Sequence, residues 1–142
     1  MGKARFYFAL WVAKLSKPAL KITGHQGTNF PGEVALKICP DFLAQIAKPK
    51  MIVGITGTNG KTTCTNMIID ILEASGKRVL SNREGANINS GIATALVNGT
   101  TAFNKAMYDT AVFEIDERSS KRILPYVQPD YMLITNLFRD SI

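Results

Sequence analysis

The chain has 142 residues, 46% of them hydrophobic and 20% charged, which fits one globular domain or one domain with an appendage. Its formal net charge of +6 lies entirely in residues 1–50, which hold eight Lys/Arg against two Asp/Glu; residues 51–142 hold nine of each. The basic character is therefore local and does not support a nucleic-acid-binding reading of the whole chain. The two cysteines, Cys39 and Cys64, are too few for a cysteine metal cluster and read as structural thiols in a reducing cytosol.

The apolar run FYFALWVA, residues 6–13, follows Lys3 and Arg5. It is too short for a bilayer span, which takes about 20 residues. Lys14 and Lys17 follow it at once, and no small-x-small cleavage site marks a signal peptide. Helical spacing gathers Lys3, Lys14, Lys17 and Lys21 in a narrow arc, with Pro18 expected to end or kink the helix. Two readings fit this stripe: a helix lying in an anionic membrane surface, or a helix packed on the domain behind it with its lysines in water. Residues 22–33, with three glycines and a proline, read as a loop in which His25 is solvated. Residues 33–48 read as two short helical pieces broken at Pro40, with Asp41 as N-cap of the second.

From residue 51 the pattern changes. MIVGIT, 51–56, is a buried strand. A helix follows the next loop, with Met67, Ile68, Ile71 and Leu72 at helical spacing and a stop at Gly76. RVLS, 78–81, is a short strand; residues 90–97 form a helix; TAVFEID, 110–116, is a buried strand; residues 117–127 form a helix; YMLITN, 131–136, is a strand. Strands that are apolar runs, alternating with helices, indicate an α/β fold with a mostly parallel sheet covered on both faces. No helix is expected after the last strand, which leaves sheet surface exposed there.

The loop between the first strand and its helix is GTNGKTT, residues 57–63. Gly57 and Gly60 allow backbone N–H groups to turn inward around an anion. The helix start adds unpaired N–H groups and the positive end of its dipole. Lys61 supplies charge for outer phosphates, and Thr62 or Thr63 a hydroxyl for Mg²⁺. The whole is a triphosphate cradle. Its spacing departs from G-x-x-x-x-G-K-[ST], because position 55 is Ile and the nearer glycine stands three before Gly60. AVFEIDE, 111–117, delivers Glu114, Asp116 and Glu117 from a strand end, where one carboxylate beside the threonine suffices for Mg²⁺. Asn136, Arg139 and Asp140 follow the last strand, and the amide-rich SNREGANINSG, 81–91, follows the second, at the sheet end where open α/β folds bind ligands.

This narrow loop, with GANINSGIATAL, FEIDE and PDYMLITNLFRD in that order and TNFPGEVALKICPDFL ahead of them, resembles the Mur ligase family, and within it the MurT-type ligase subunits. The resemblance implies a P-loop-type ATP-binding central domain, here its first part in residues 49–142 behind a helical leader in 1–48. It implies ATP bound by Gly57, Thr58, Asn59, Gly60, Lys61, Thr62 and Thr63, Mg²⁺ held by Thr62 and Glu114, and Lys61 and Glu114 as catalytic residues. Asn87 matches an asparagine near the reacting groups, and Asn136 and Arg139 are further substrate candidates. The implied reaction activates the D-glutamate α-carboxyl of the lipid II stem peptide as an acyl phosphate. Ammonia from a GatD-like glutamine amidotransferase partner then gives D-isoglutamine. A cytoplasmic location follows, at the inner face of the membrane if the N-terminal helix lies there. The resemblance also implies a longer protein, with a zinc ribbon whose ligands this chain lacks, so that the chain alone is an inactive fragment. Two alternatives stay open: a Mur or folylpolyglutamate-type ligase that adds an amino acid, and a non-catalytic nucleotide-binding module.

Overall fold

In a computed structural model, residues 2–24, 29–83 and 88–137 are described. Three helices lead: α1 (Lys3–Thr23), α2 (Phe30–Ile38) and α3 (Phe42–Gln45). There follow β1 (Met51–Thr56), α4 (Lys61–Ala74), β2 (Val79–Ser81), α5 (Asn89–Asn98), β3 (Thr110–Glu114), α6 (Ser120–Val127) and β4 (Tyr131–Ile134). The strands form one sheet in the order β2-β3-β1-β4. Every pairing is parallel, with Val53 opposite both Val112 and Tyr131. The α/β reading and the order of its strands and helices are borne out.

Alternation along the strands divides the core between two faces. Ile52, Leu80, Ala111 and Phe113 join α1, α2, α3, α5 and α6 in one large cluster. Ile55 and Val112 point the other way and pack under Ile69 of α4, with Val53, Ile68 and Leu72 at the margin. The helical spacing of α4 is as expected, but Met67 and Ile71 face outward; its buried line runs through Thr65 and Ile69. α5 is buried at every residue from Ser90 to Val97 because the leader helices cover its outer side. All of β4 is exposed, Tyr131 at 64% and Ile134 at 54%.

The leader differs from expectation in three places. Pro18 neither ends nor breaks α1, which continues to Thr23. Pro18 lies on the exposed side, where the carbonyl four residues back can turn to water. The loop expected over 22–33 is shorter, since α1 runs into it and α2 starts at Phe30 with Pro31 in its first turn, where a missing N–H costs nothing. Asp41 stands at the N-cap of α3 but makes no capping bond. Its carboxylate instead accepts from Cys39 Sγ at 3.0 Å and Gln45 Nε2 at 2.8 Å. Burial first, and the Asp41 bond second, push the Cys39 thiol up to about 11, so it stays protonated and structural.

Two lysines of the arc on α1, Lys14 and Lys17, turn toward the end of α5, while Lys3 and Lys21 are exposed. Lys14 Nζ donates to Val97 O at 2.8 Å and also to Thr100 O, capping the carbonyl end of α5 where a cation is favoured. Burial, and then Lys17 nearby, lower its pKa. Lys17 Nζ lies 3.4 Å from Asn98 Oδ1. Phe6, Leu10 and Ala13 beside the arc are buried, so this side of α1 takes the packed reading. His25 lies outside the described residues.

The tightest seam joins α2 to α5. Gly32 N donates to Thr94 Oγ1 at 2.9 Å, and Thr94 Oγ1 donates to Ser90 O at 2.8 Å. A Cβ on Gly32 would lie 2.1 Å from Ser90 O. Gly32→Ala is expected to force the two helices apart and lower stability by about 2–3 kcal/mol in chemical denaturation. Gly2→Ala, whose nearest neighbour atom is at 3.9 Å, should leave the midpoint unchanged.

Candidate nucleotide site

The loop 57–60 leaves the buried end of β1 and enters α4 directly. Gly57 has φ +136° and Gly60 φ +85°, both in the region L side chains avoid. A Cβ on Gly57 would also lie 2.1 Å from Thr135 Oγ1, so this position needs glycine twice over. Gly60 occupies the N-cap of α4, and no side chain caps the helix, which leaves its first-turn N–H groups for a ligand. The buried Thr56 hydroxyl, at the last residue of β1, has no hydrogen-bond partner.

The loop's shape is held from β4. Thr135 N donates to Thr56 O at 3.0 Å, prolonging the strand pairing by one residue. Thr135 Oγ1 donates to Asn59 O at 2.6 Å. The Asn136 amide grips the same residue from both ends: Nδ2 donates to Asn59 O at 3.1 Å, and Asn59 N donates to Oδ1 at 2.9 Å. Asn136 O accepts from Thr58 N at 2.9 Å. The structure thus brings Asn136 to the loop, with its side chain engaged there. Asn87, Arg139 and Asp140 lie outside the described residues.

Parallel pairing puts Glu114 of β3 opposite Ile55 of β1, two residues before the loop. Asn82, just past β2, fixes the Glu114 backbone: its Nδ2 donates to Glu114 O at 2.8 Å, and Glu114 N donates to its Oδ1 at 2.9 Å. The Glu114 carboxylate accepts from Thr62 Oγ1 at 3.2 Å and 3.3 Å. One hydroxyl beside one carboxylate at an exposed loop is a donor set suited to Mg²⁺, which keeps most of its waters. Among the described residues no group of three His, Cys, Asp or Glu gathers, here or elsewhere.

Lys61 Nζ donates to Gly57 O at 2.6 Å and pairs with Glu117 Oε2 at 3.2 Å, with only 12% of its side chain exposed. The side chain is folded over the loop and balanced by an acid. Asp116 is used in the turn after β3, where its carboxylate accepts from Arg118 N at 3.2 Å. The roles of Asn82 and Thr135 are not among the sequence expectations, and Glu117, expected only as one of three acids offered to Mg²⁺, pairs with Lys61. Asn82 had a signal, being the first amide after an apolar strand, but its partner Glu114 is 32 residues away.

Among known proteins, the profile of the Mur ligase middle domain matches residues 55–142. The lipid II isoglutaminyl synthase (glutamine-hydrolyzing) subunit MurT of Staphylococcus aureus strain COL is 41% identical over 139 residues, 97% of this chain and 31% of that protein. The MurT subunit of Streptococcus pneumoniae is 44% identical over 117 residues, 82% of this chain and 26% of its own length. UDP-N-acetylmuramoylalanine–D-glutamate ligase of Leuconostoc mesenteroides is 33% identical over 93 residues, 64% of this chain and 18% of its own. The chain spans under a third of the length of each of these relatives. A strand, a narrow glycine loop and a helix, with the acid of the neighbouring strand against the loop threonine and a profile match over more than half the chain, place it in the Mur ligase family.

Proposed function

We propose that this chain is the ATP-binding part of an ATP-dependent amide ligase of the MurT type. Its substrate is the D-glutamate α-carboxyl of the lipid II stem peptide, and its nitrogen comes as ammonia from a GatD-like glutamine amidotransferase. The observation that carries this reading is the contact of Thr62 with Glu114 beside Lys61, in a chain similar to MurT subunits over 97% of its length. An amino-acid-adding ligase is the weaker reading, because likeness to D-glutamate ligases covers 64% of the chain, while likeness to MurT takes in nearly all of it.

The geometry of the loop supports the following chemical roles. Backbone N–H groups from Gly57 to Thr63 would hold phosphate oxygens, with Gly57 and Gly60 keeping side chains out of the way. Lys61 would exchange Glu117 for phosphate, one anion for another. Thr62 and Glu114 would hold Mg²⁺, which neutralises charge on the phosphoryl group in such reactions. We assign Asn136 to positioning the loop, and Asn87 and Arg139 to the acceptor side on the resemblance. Residues 1–48 serve as a leader to the ATP domain, and the protein works in the cytoplasm, where ATP is available.

Two variants of the full-length protein test this, assayed with a glutamine amidotransferase, glutamine, lipid II and Mg-ATP. Lys61→Ala should lower amidation by at least about a hundredfold with the fold intact by far-UV circular dichroism, since it removes charge stabilisation of the transferring group. Wild-type turnover in that variant would overturn the site. Glu114→Gln keeps size and hydrogen bonding. It should raise the Mg²⁺ concentration for half-maximal rate at least about tenfold, the scale on which even outer-shell changes act. An unchanged Mg²⁺ profile would remove Glu114 from the metal.

A further inference from the structure

Helix α1 has a second apolar face that the packing leaves outside. Phe8 is 59% exposed, Trp11 48%, Leu15 70% and Ile22 86%. Steps of three, four and seven residues set these four in one line along the helix. Ala4, Pro18 and Ala19, also exposed, fill the gaps. This line is distinct from the buried one through Phe6, Ala9, Leu10 and Ala13. A loop extends the exposed face sideways. Trp11 Nε1 donates to Ala102 O at 2.8 Å, Tyr7 Oη donates to Phe103 O at 3.5 Å, and the Phe103 ring beside them is 74% exposed.

The helix itself carries charge of one sign. Helix α1 contains no Asp or Glu, and Lys3 and Lys21 are exposed near its two ends, flanking the outer line, with Lys105 exposed on the loop. We propose that the outer face of α1, with Phe103, docks on an anionic lipid surface, the helix lying in the plane of the interface. The helix is not long and apolar enough to cross a membrane, which leaves surface docking. Long lysine stems can lie along the acyl boundary while their heads reach the headgroups, and a tryptophan with its N–H satisfied suits the interface. A second copy is disfavoured as the occupant, because pairing this face with its twin sets lysine against lysine. The proposal goes beyond the ligase reading and does not depend on it, since docking requires no nucleotide.

Vesicle flotation of the full-length protein tests it, with equal parts phosphatidylglycerol and phosphatidylcholine against phosphatidylcholine alone, at low and high salt. The expected result is binding that needs phosphatidylglycerol and falls with salt. The partition coefficient should drop at least about tenfold in Phe8→Ser/Leu15→Ser and again in Lys3→Gln/Lys21→Gln. All four side chains are exposed, so the thermal melt should not move. No flotation on anionic vesicles at low salt, or wild-type partition in either double variant, overturns the proposal. So does a solution dimer that Phe8→Ser/Leu15→Ser dissociates, which would assign the face to a second copy.

Discussion

Asn59 is held by three hydrogen bonds with Thr135 and Asn136, and the proposed nucleotide site depends on that grip. A loop with two glycines at positive φ has little intrinsic preference for one shape, because glycine gives up the most conformational freedom on ordering. The shape is imposed from outside, by the chain leaving β4. Since β4 pairs with β1 in parallel register, the residues after Ile134 arrive level with those after Thr56. The same closeness accounts for Gly57, where any Cβ would strike Thr135 Oγ1.

On the other side of β1, register does similar work for the acid. Glu114 lies opposite Ile55, and Asn82 at the end of β2 locks its backbone with two bonds. Three neighbouring strands thus each send one element to the same sheet end: the loop from β1, the carboxylate from β3 and the amide from β2. β4 supplies the clasp on the far side. Charged groups thus converge on this sheet end, with Lys61 balanced by Glu117.

What was legible in the sequence was local. Gly57, Gly60, Lys61 and Thr62 are contiguous and sit between an apolar run and a helical pattern, so loop, strand and helix could be read together. Glu114 could be read because it closes an apolar run. The roles of Asn82, Glu117 and Thr135 could not, because they arise from strand pairing between segments 32 to 76 residues apart. Helix α1 was legible as a helix but not as to its sides. It is apolar on two faces, and only the placement of α2, α3 and α5 decides that Phe6 and Leu10 go in while Phe8 and Leu15 stay out. The same placement draws Lys14 onto the end of α5, a contact across 83 residues of sequence.

The central claim, that residues 57–63 form a phosphate cradle held by Thr135 and Asn136, is tested most directly by backbone amide NMR with and without Mg-ATP. The account predicts that the largest shifts fall on the N–H groups of Gly57 to Thr63, with a smaller response at Asn136 through Asn59. It also predicts that Mg-AMP, lacking the outer phosphates, moves Lys61 and Thr62 much less than Mg-ATP. Unmoved resonances from Gly57 to Thr63 at saturating Mg-ATP, or equal responses to the two nucleotides, would contradict it.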